Sequence, residues 1–171
     1  IEAGLNRQAI IGRLLEDYEV SLEKASYMTD MAFRQRSFLQ TSDEKTVSVY
    51  VGIPFCRSRC LYCSFPAYIL PESQKLSVFF EAWVKDLLAA KAAIEQYGLK
   101  VQNIYVGGGT PTSLSNLDFE RMLTLVEEAF YGSCTREFTV EAGRPDTITP
   151  EKVLSMRQHR VSRVSVNPQT M

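Results

Sequence analysis

The sequence predicts an α/β fold on a parallel sheet, either part of a (β/α) barrel or an open doubly wound sheet, preceded by a helical segment. Three observations carry this. Strand-like and helix-like runs alternate from residue 46 onward, a helix-length stretch separates each main pair of strands, and no hairpin turn reverses the chain. Crossovers of that length join parallel strands. Both architectures gather their chemistry at the C-terminal ends of the strands.

Residues 1–40 read as helix: Leu5, Ile11, Leu14, Leu15, Tyr18, Leu22 and Ala25 fall near one stripe, with a possible break near Glu19–Ser21. This segment carries no catalytic motif and reads as a packing element. Thr41-Ser42-Asp43-Glu44-Lys45 is a polar link, dividing a helical segment (1–45) from a core (46–171). Thr46–Ile53 is rich in β-branched residues and reads as a buried strand ended by Pro54. Pro66 and Pro71 punctuate the loop that follows. Over 72–97, Leu76, Phe79, Phe80, Trp83, Leu87 and Ile94 recur at helical spacing, with Gly98 as the residue just past the helix. The aromatic residues of that helix read as core.

Val101–Val106 is a second strand, running into Gly107-Gly108-Gly109-Thr110-Pro111-Thr112. Ser115 starts a helix in capping-box style with Asp118, and Gly132 closes it. Its apolar face is Phe119, Met122, Leu123, Val126 and Phe130. Glu137–Ala142 is a third strand, Thr149-Pro150-Glu151 opens a third helix with Pro at its first position, and Arg163–Val166 is a fourth strand.

The bulk numbers bound the class. At 171 residues, 45% apolar and 23% charged, the chain fits one ordinary globular domain with a real core. A net charge of −1 leaves no nucleic-acid footprint. No apolar run approaches a membrane span, and no secretory leader opens the chain. Four cysteines in that context point to a reducing cytoplasm. The start at Ile1 without an initiator Met, and the end at Met171 after a strand-like run, read as an excised piece of a longer protein.

Each strand ends in something chemical. The first ends in Cys56, Cys60 and Cys63, a C-x3-C-x2-C loop that aims three thiolates at one point. Thiolates are iron–sulfur ligands, and three of them leave one iron of a cubane open. Zinc is the competing reading, but structural zinc takes four ligands, and the fourth would be the distant Cys134 or His159. Incidental cysteines are the third. The second strand ends in the glycine run, which lets backbone approach a ligand closely and frees N–H groups for polar partners; a tight turn is the plainer alternative. It lacks the Lys of a phosphate-binding G-x4-G-K-[ST] loop and is not G-x-G-x-x-G. The third ends in Glu141, which needs a polar partner: a ligand amine, a ribose hydroxyl, or a salt bridge to Arg144. The fourth ends near Gln169, a candidate hydrogen-bonder to the same ligand. Tyr62 packs on a cluster or flat ligand, or makes a plain apolar contact. Cys134 reads as a small buried hydrophobe and His159 as a favourable charge at a helix C-terminus.

C-x3-C-x2-C after a strand, followed by Gly107-Gly108-Gly109-Thr110-Pro111-Thr112, resembles the radical S-adenosylmethionine (SAM) superfamily. The fuller set, Tyr50-Val51-Gly52-Ile53-Pro54-Phe55-Cys56 with Val140–Thr147 and Ser165–Met171, resembles the oxygen-independent coproporphyrinogen III oxidase-like (HemN-like) family, in its HemZ-type branch. The resemblance covers residues 46–171 and implies the N-terminal part of a radical SAM (β/α) partial barrel.

By that resemblance, Cys56, Cys60 and Cys63 bind three irons of a [4Fe–4S] cluster whose fourth iron chelates SAM. Gly108, Gly109, Thr110, Glu141 and Gln169 match SAM-contacting positions. Tyr50 and Tyr62 match aromatic positions beside cluster and cofactor, with Tyr50 the candidate catalytic residue. The implied activity is oxidative decarboxylation of coproporphyrinogen III propionates to vinyl groups by a 5′-deoxyadenosyl radical. A flavodoxin or ferredoxin is the implied electron donor, in the cytoplasm, with no nucleic-acid or membrane partner. Two positions depart from the oxidases: Gly52 stands where they carry His, and Phe65 where they carry a further Cys. Relatives with Phe there include haem-chaperone-like members, so a haem-binding homologue without oxidase activity is the second reading, and a zinc-stabilised α/β binding domain the third. The isolated 171 residues are expected to show little turnover.

Overall fold

A computed structural model of the chain describes residues 4–39 and 44–169. The contacts divide the chain into two compact units, one up to Glu44 and one from Lys45. In the first, α1 (Arg7–Glu16) starts at Asn6, whose side chain accepts from the Ala9 N–H, and α2 (Leu22–Leu39) follows. The expected break is present, with Glu19 at φ 52°. Ile11 and Ala25 are buried, whereas Leu15, Tyr18 and Leu22 of the expected stripe are exposed. Residues 40–43, including Thr41, Ser42 and Asp43 of the expected link, lie outside the described residues.

The second unit contains β1 (Thr46–Ile53), β2 (Phe55–Cys56), β3 (Tyr68–Ile69), α3 (Ser73–Gln96), β4 (Lys100–Gly108), α4 (Asn116–Phe130), β5 (Glu137–Glu141), α5 (Pro150–Gln158) and β6 (Arg163–Ser165). The main sheet has the order β1-β4-β5-β6 and every pair is parallel, as the helical crossovers predict. Local chemistry sets the helix starts. Ser115 caps α4 by accepting from the Asp118 N–H, and Thr149 caps α5 ahead of Pro150. Gly98 follows α3 at φ +61°, the left-handed conformation that a residue just past a helix takes at little cost when it is glycine.

One face of the sheet carries the core. Val51, Ile53, Ile104, Val106, Phe138 and Val140 pack with Leu76, Phe80, Trp83 and Leu87 of α3 and the stripe Phe119, Met122, Leu123, Val126 and Phe130 of α4. Strand alternation sends the other set to the opposite face: Ser48, Tyr50 and Gly52 of β1, Asn103, Tyr105 and Gly107 of β4, and Glu137, Thr139 and Glu141 of β5. A parallel sheet usually has both faces covered by apolar residues. Here the second face bears tyrosines, glycines and carboxylates, which is the pattern of a surface that meets a ligand.

Two local expectations are corrected. β1 ends at Ile53 before Pro54 as expected, but it is only half-buried, with Tyr50 60% exposed; beyond Pro54 the chain resumes as β2, which pairs in parallel with β3 at Phe55–Tyr68 and Cys56–Ile69. Cys134 is exposed, not buried. It sits in a tight turn closed by Thr135 N–H to the Gly132 carbonyl, and the tip of such a turn faces solvent.

Candidate metal and cofactor site

The cysteine loop hangs from an extended stem, residues 53–56, that is bonded on both sides. Ile53 and Phe55 carbonyls accept from the Gly109 and Thr110 N–H groups at 2.9 and 2.7 Å. Pro54 and Cys56 carbonyls accept from Tyr68 and Leu70 at 2.7 and 2.9 Å. Alternation along an extended chain explains the split, and Pro54 lacks only an N–H, which this pattern does not use. The loop from Arg57 to Ala67 is thus closed at its base. Within it, Cys63 N–H bonds the Cys60 carbonyl at 3.2 Å.

That pairing corrects the expectation that the glycine run frees its N–H groups, since those of Gly109 and Thr110 are taken by the stem. The glycines answer three separate crowding problems. A Cβ at Gly109 would lie 2.5 Å from the Phe55 carbonyl oxygen. One at Gly108, where φ is +114°, would lie 2.7 Å from the Ile53 oxygen. One at Gly107 would lie 2.9 Å from Glu141 Oε2 and from a Tyr105 ring carbon.

All four cysteines are free thiols, and Cys56, Cys60 and Cys63 are half-buried and line one pocket with Phe65, Tyr68 and Ile69. Among the described residues, no three His, Cys, Asp or Glu side chains are gathered closely enough to hold a metal ion. The chemistry of the donor set suits a cluster with three protein ligands, because among the described residues no fourth cysteine or histidine stands with the loop. Cys134 precedes β5 and His159 follows α5 ahead of β6, so both sit at N-terminal strand ends, while the three thiols lie beyond a C-terminal one. β5 alone spans about 13 Å. His159 is also engaged, with Nδ1 2.8 Å from Glu127 Oε2, so it ties α5 to α4. Both candidates for a fourth zinc ligand are therefore removed.

The other expected residues fall into two groups: Thr110, Gln169 and Tyr62 touch or belong to the cysteine loop, whereas Glu141 and Tyr50 gather on Tyr105 of β4. Thr110 Oγ1 is 3.4 Å from Cys56 Sγ. Gln169, at φ 69°, accepts from the Tyr62 hydroxyl at 2.5 Å and lies 3.8 Å from Cys60 Sγ, and its amide nitrogen donates to the Gly143 carbonyl. Tyr62 therefore makes a polar contact rather than a plain apolar one. Glu141 is partnered by Tyr105, whose hydroxyl donates to Oε1 at 2.6 Å, and not by Arg144. Tyr50 stacks on Tyr105 with centroids 5.9 Å apart. Gly52, in register with Gly107, has room for a side chain: a Cβ there meets only Tyr50, at 3.5 Å.

The bond to Glu141, then burial, pushes the Tyr105 phenol up to about 12. Burial, then Glu141, raises Tyr50. A phenol with a raised folded-state pKa stabilises the fold below its unfolded value of about 10 and loses that contribution as pH climbs through its folded value. Unfolding stability is expected to fall between about pH 10 and 12, and Tyr105→Phe is expected to flatten that part of the slope; equal slopes in pH-dependent urea titrations would sink the assignment.

Two contributors have a role at the loop that the sequence did not assign them. Arg144 donates to Ser58 Oγ at 2.5 Å and to Asp146 Oδ1 at 3.0 Å, pinning the cysteine loop to the turn after β5. Its pKa is raised, chiefly by Asp146 and also by Cys60 and Cys56, so a fixed positive charge stands beside the thiols. Lys152 is buried and donates to the carbonyls of Thr112 at 2.6 Å and Thr147 at 3.1 Å. Burying an ammonium costs several kcal/mol, which two charge-assisted bonds of about 1.5–3 kcal/mol each largely offset. Nothing in spacing or composition marks Lys152; Arg144 was legible only as a neighbour of Glu141.

The profile of the Radical SAM superfamily matches residues 50–171. The oxygen-independent coproporphyrinogen-III oxidase-like protein HemZ of Bacillus subtilis is 34% identical over 176 residues, covering 99% of this chain and 35% of its own length. The heme chaperone HemW of Lactococcus lactis is 35% identical over 127 residues, covering 74% of this chain and 31% of its own. Among solved structures, the coproporphyrinogen III oxidase HemN of Escherichia coli, described as a radical SAM enzyme, aligns with a TM-score of 0.60 at 26% identity, covering 77% of this chain and 30% of that one. The chain spans about a third of the length of these relatives. No helix among the described residues is long and apolar enough to cross a membrane.

Proposed function

The chain belongs to the radical SAM superfamily, and from that membership we propose that residues 46–171 hold a [4Fe–4S] cluster and SAM in a protein that converts coproporphyrinogen III propionates to vinyl groups. The observation that carries the reading is the convergence at one sheet edge. Three free thiols line one pocket, Gln169 reaches it from the segment after β6, and Glu141 stands at the C-terminal end of β5 beside Gly107. When bound, cluster and SAM supply one-electron cleavage and hydrogen-atom abstraction that side chains cannot perform alone.

The chain's own residues bind and orient. Cys56, Cys60 and Cys63, as thiolates, hold three irons, and Arg144 offsets part of their charge. Glu141 keeps its second carboxylate oxygen for a cationic or hydroxyl group of SAM while Tyr105 fixes the first. Tyr62 and Gln169 tie the loop to the end of β6 and leave the Gln169 side chain beside Cys60. The backbone at Gly108 and Gly109, with Thr110, forms the wall behind Cys56. Tyr50, 60% exposed on the ligand-facing side of β1, offers a ring to the bound cofactor. The electron comes from a small donor such as a flavodoxin or ferredoxin in the cytoplasm.

A second reading, haem binding without vinyl formation, is favoured by Gly52 and Phe65 and by the similarity to HemW. The test is anaerobic reconstitution of the whole protein with iron and sulfide, reduction, and EPR with and without SAM. A reduced-cluster signal that shifts on adding SAM is expected, followed by vinyl product from coproporphyrinogen III. A SAM-responsive cluster with haem binding and no vinyl product moves the substrate to the second reading. Stoichiometric zinc and no cluster sinks both.

A further inference from the structure

Lys152 spends its buried ammonium on two carbonyls that belong to different loops. Thr112 lies in the 3-10 turn after the glycine run, and Thr147 in the 3-10 turn after β5. The same two residues meet through their hydroxyls at 2.6 Å. Thr147 Oγ1 donates onward to the Arg144 carbonyl at 2.7 Å. A hydroxyl carries one proton, so Thr112 is the donor of the pair. A closed knot thus joins the two loops, with Lys152 inserted behind it from α5.

From each loop a contact runs to the cysteine loop. Thr110 touches Cys56 at 3.4 Å on one side. On the other, Arg144 holds Ser58, and Arg57 Nη1 donates to the Asp146 carbonyl at 3.3 Å. The cysteine loop is therefore gripped by the two loops whose separation Lys152 sets. A buried apolar residue would fill the same space without the cost of burying charge, but it would bond neither carbonyl.

We propose that Lys152 is a positioning residue: it staples the loop after β4 to the loop after β5 and so sets the placement of Cys56, Cys60 and Cys63. The cluster-dependent part of the test rests on the functional reading above; the thiol part does not. In the whole apo-protein under reducing conditions, well below its melting midpoint, the alkylation rates of these three cysteines are measured by peptide mass spectrometry. The exposed Cys134 serves as internal standard. Lys152→Met is expected to raise the loop-cysteine rates relative to Cys134 by about threefold or more, a change typical of residues coupled in one network. After reconstitution it is expected to weaken SAM binding by about tenfold, read from the SAM-induced EPR change. Thr147→Val, which keeps the ammonium but cuts the hydroxyl knot, is expected to move both readouts the same way.

A purely structural lysine gives a lower melting temperature with unchanged rate ratio and unchanged SAM affinity, and that result overturns the proposal. Should Lys152→Met fail to fold, Thr147→Val decides alone, and wild-type ratios in it overturn the proposal. Failure of the wild type to take up a cluster would end the functional reading while leaving the alkylation comparison intact.

Discussion

Replacing Cys60 by alanine is expected to abolish the reduced-cluster EPR signal and its response to SAM, while the protein stays folded. The reason lies in the donor set. A cubane held by three thiolates has no spare protein ligand, and neither Cys134 nor His159 can substitute from the N-terminal strand ends. The fold, by contrast, has little invested in this side chain. Cys60 is half-exposed and its thiol makes only weak polar contacts, with Tyr62 and, at 3.8 Å, with Gln169, so the stability change should stay within about 0.5 kcal/mol. Cys134→Ala is the matched control and should leave both signal and stability unchanged. Iron counting, EPR and circular dichroism on the two variants check the expectation. A cluster retained at wild-type level in Cys60→Ala would overturn the three-thiolate assignment.

Gly109→Ala is expected to be far more destabilising than Gly107→Ala or Gly52→Ala. The added carbon would lie 2.5, 2.7 and 2.9 Å from Phe55 O, C and N, all backbone. A flexible side chain could swing away, but the stem is bonded on both sides, so one of its hydrogen bonds must break or the strand must shift. Overpacking and a lost buried bond together put the cost at about 2–4 kcal/mol. Gly107→Ala meets the side chains of Glu141 and Tyr105 instead, so its larger effect should fall on SAM affinity. Gly52→Ala has only an ordinary 3.5 Å contact, and the entropy saved in the unfolded chain makes it neutral or stabilising by about 0.5 kcal/mol. Urea midpoints at constant m-value separate the three. A Gly109→Ala cost below that of Gly52→Ala would mean the stem does not run against the glycine backbone as described.

The elements were legible in the sequence because their causes are local. β-branched residues set β1, apolar spacing set α3 and α4, and Ser115, Thr149, Pro150 and Gly98 marked helix ends through hydrogen bonds within four residues. Parallel pairing followed from crossover length, and the three cysteines followed from their spacing. What local chemistry could not reach was pairing between distant segments. The two-residue β2–β3 ladder, the occupation of the Gly109 and Thr110 N–H groups, and the Tyr105–Glu141 bond all join residues from 13 to 56 positions apart. The exposure of Cys134 has a local cause instead: a general tendency of cysteines to be buried lost to a four-residue turn. Sequence alone determined which elements form, that their strands run parallel, and which residues stand at the strand ends. Only tertiary structure decided that Lys152, Thr147 and Arg144 hold the cysteine loop, because a hydrogen bond's partner depends on where the chain returns in space, and spacing along the chain does not encode that return.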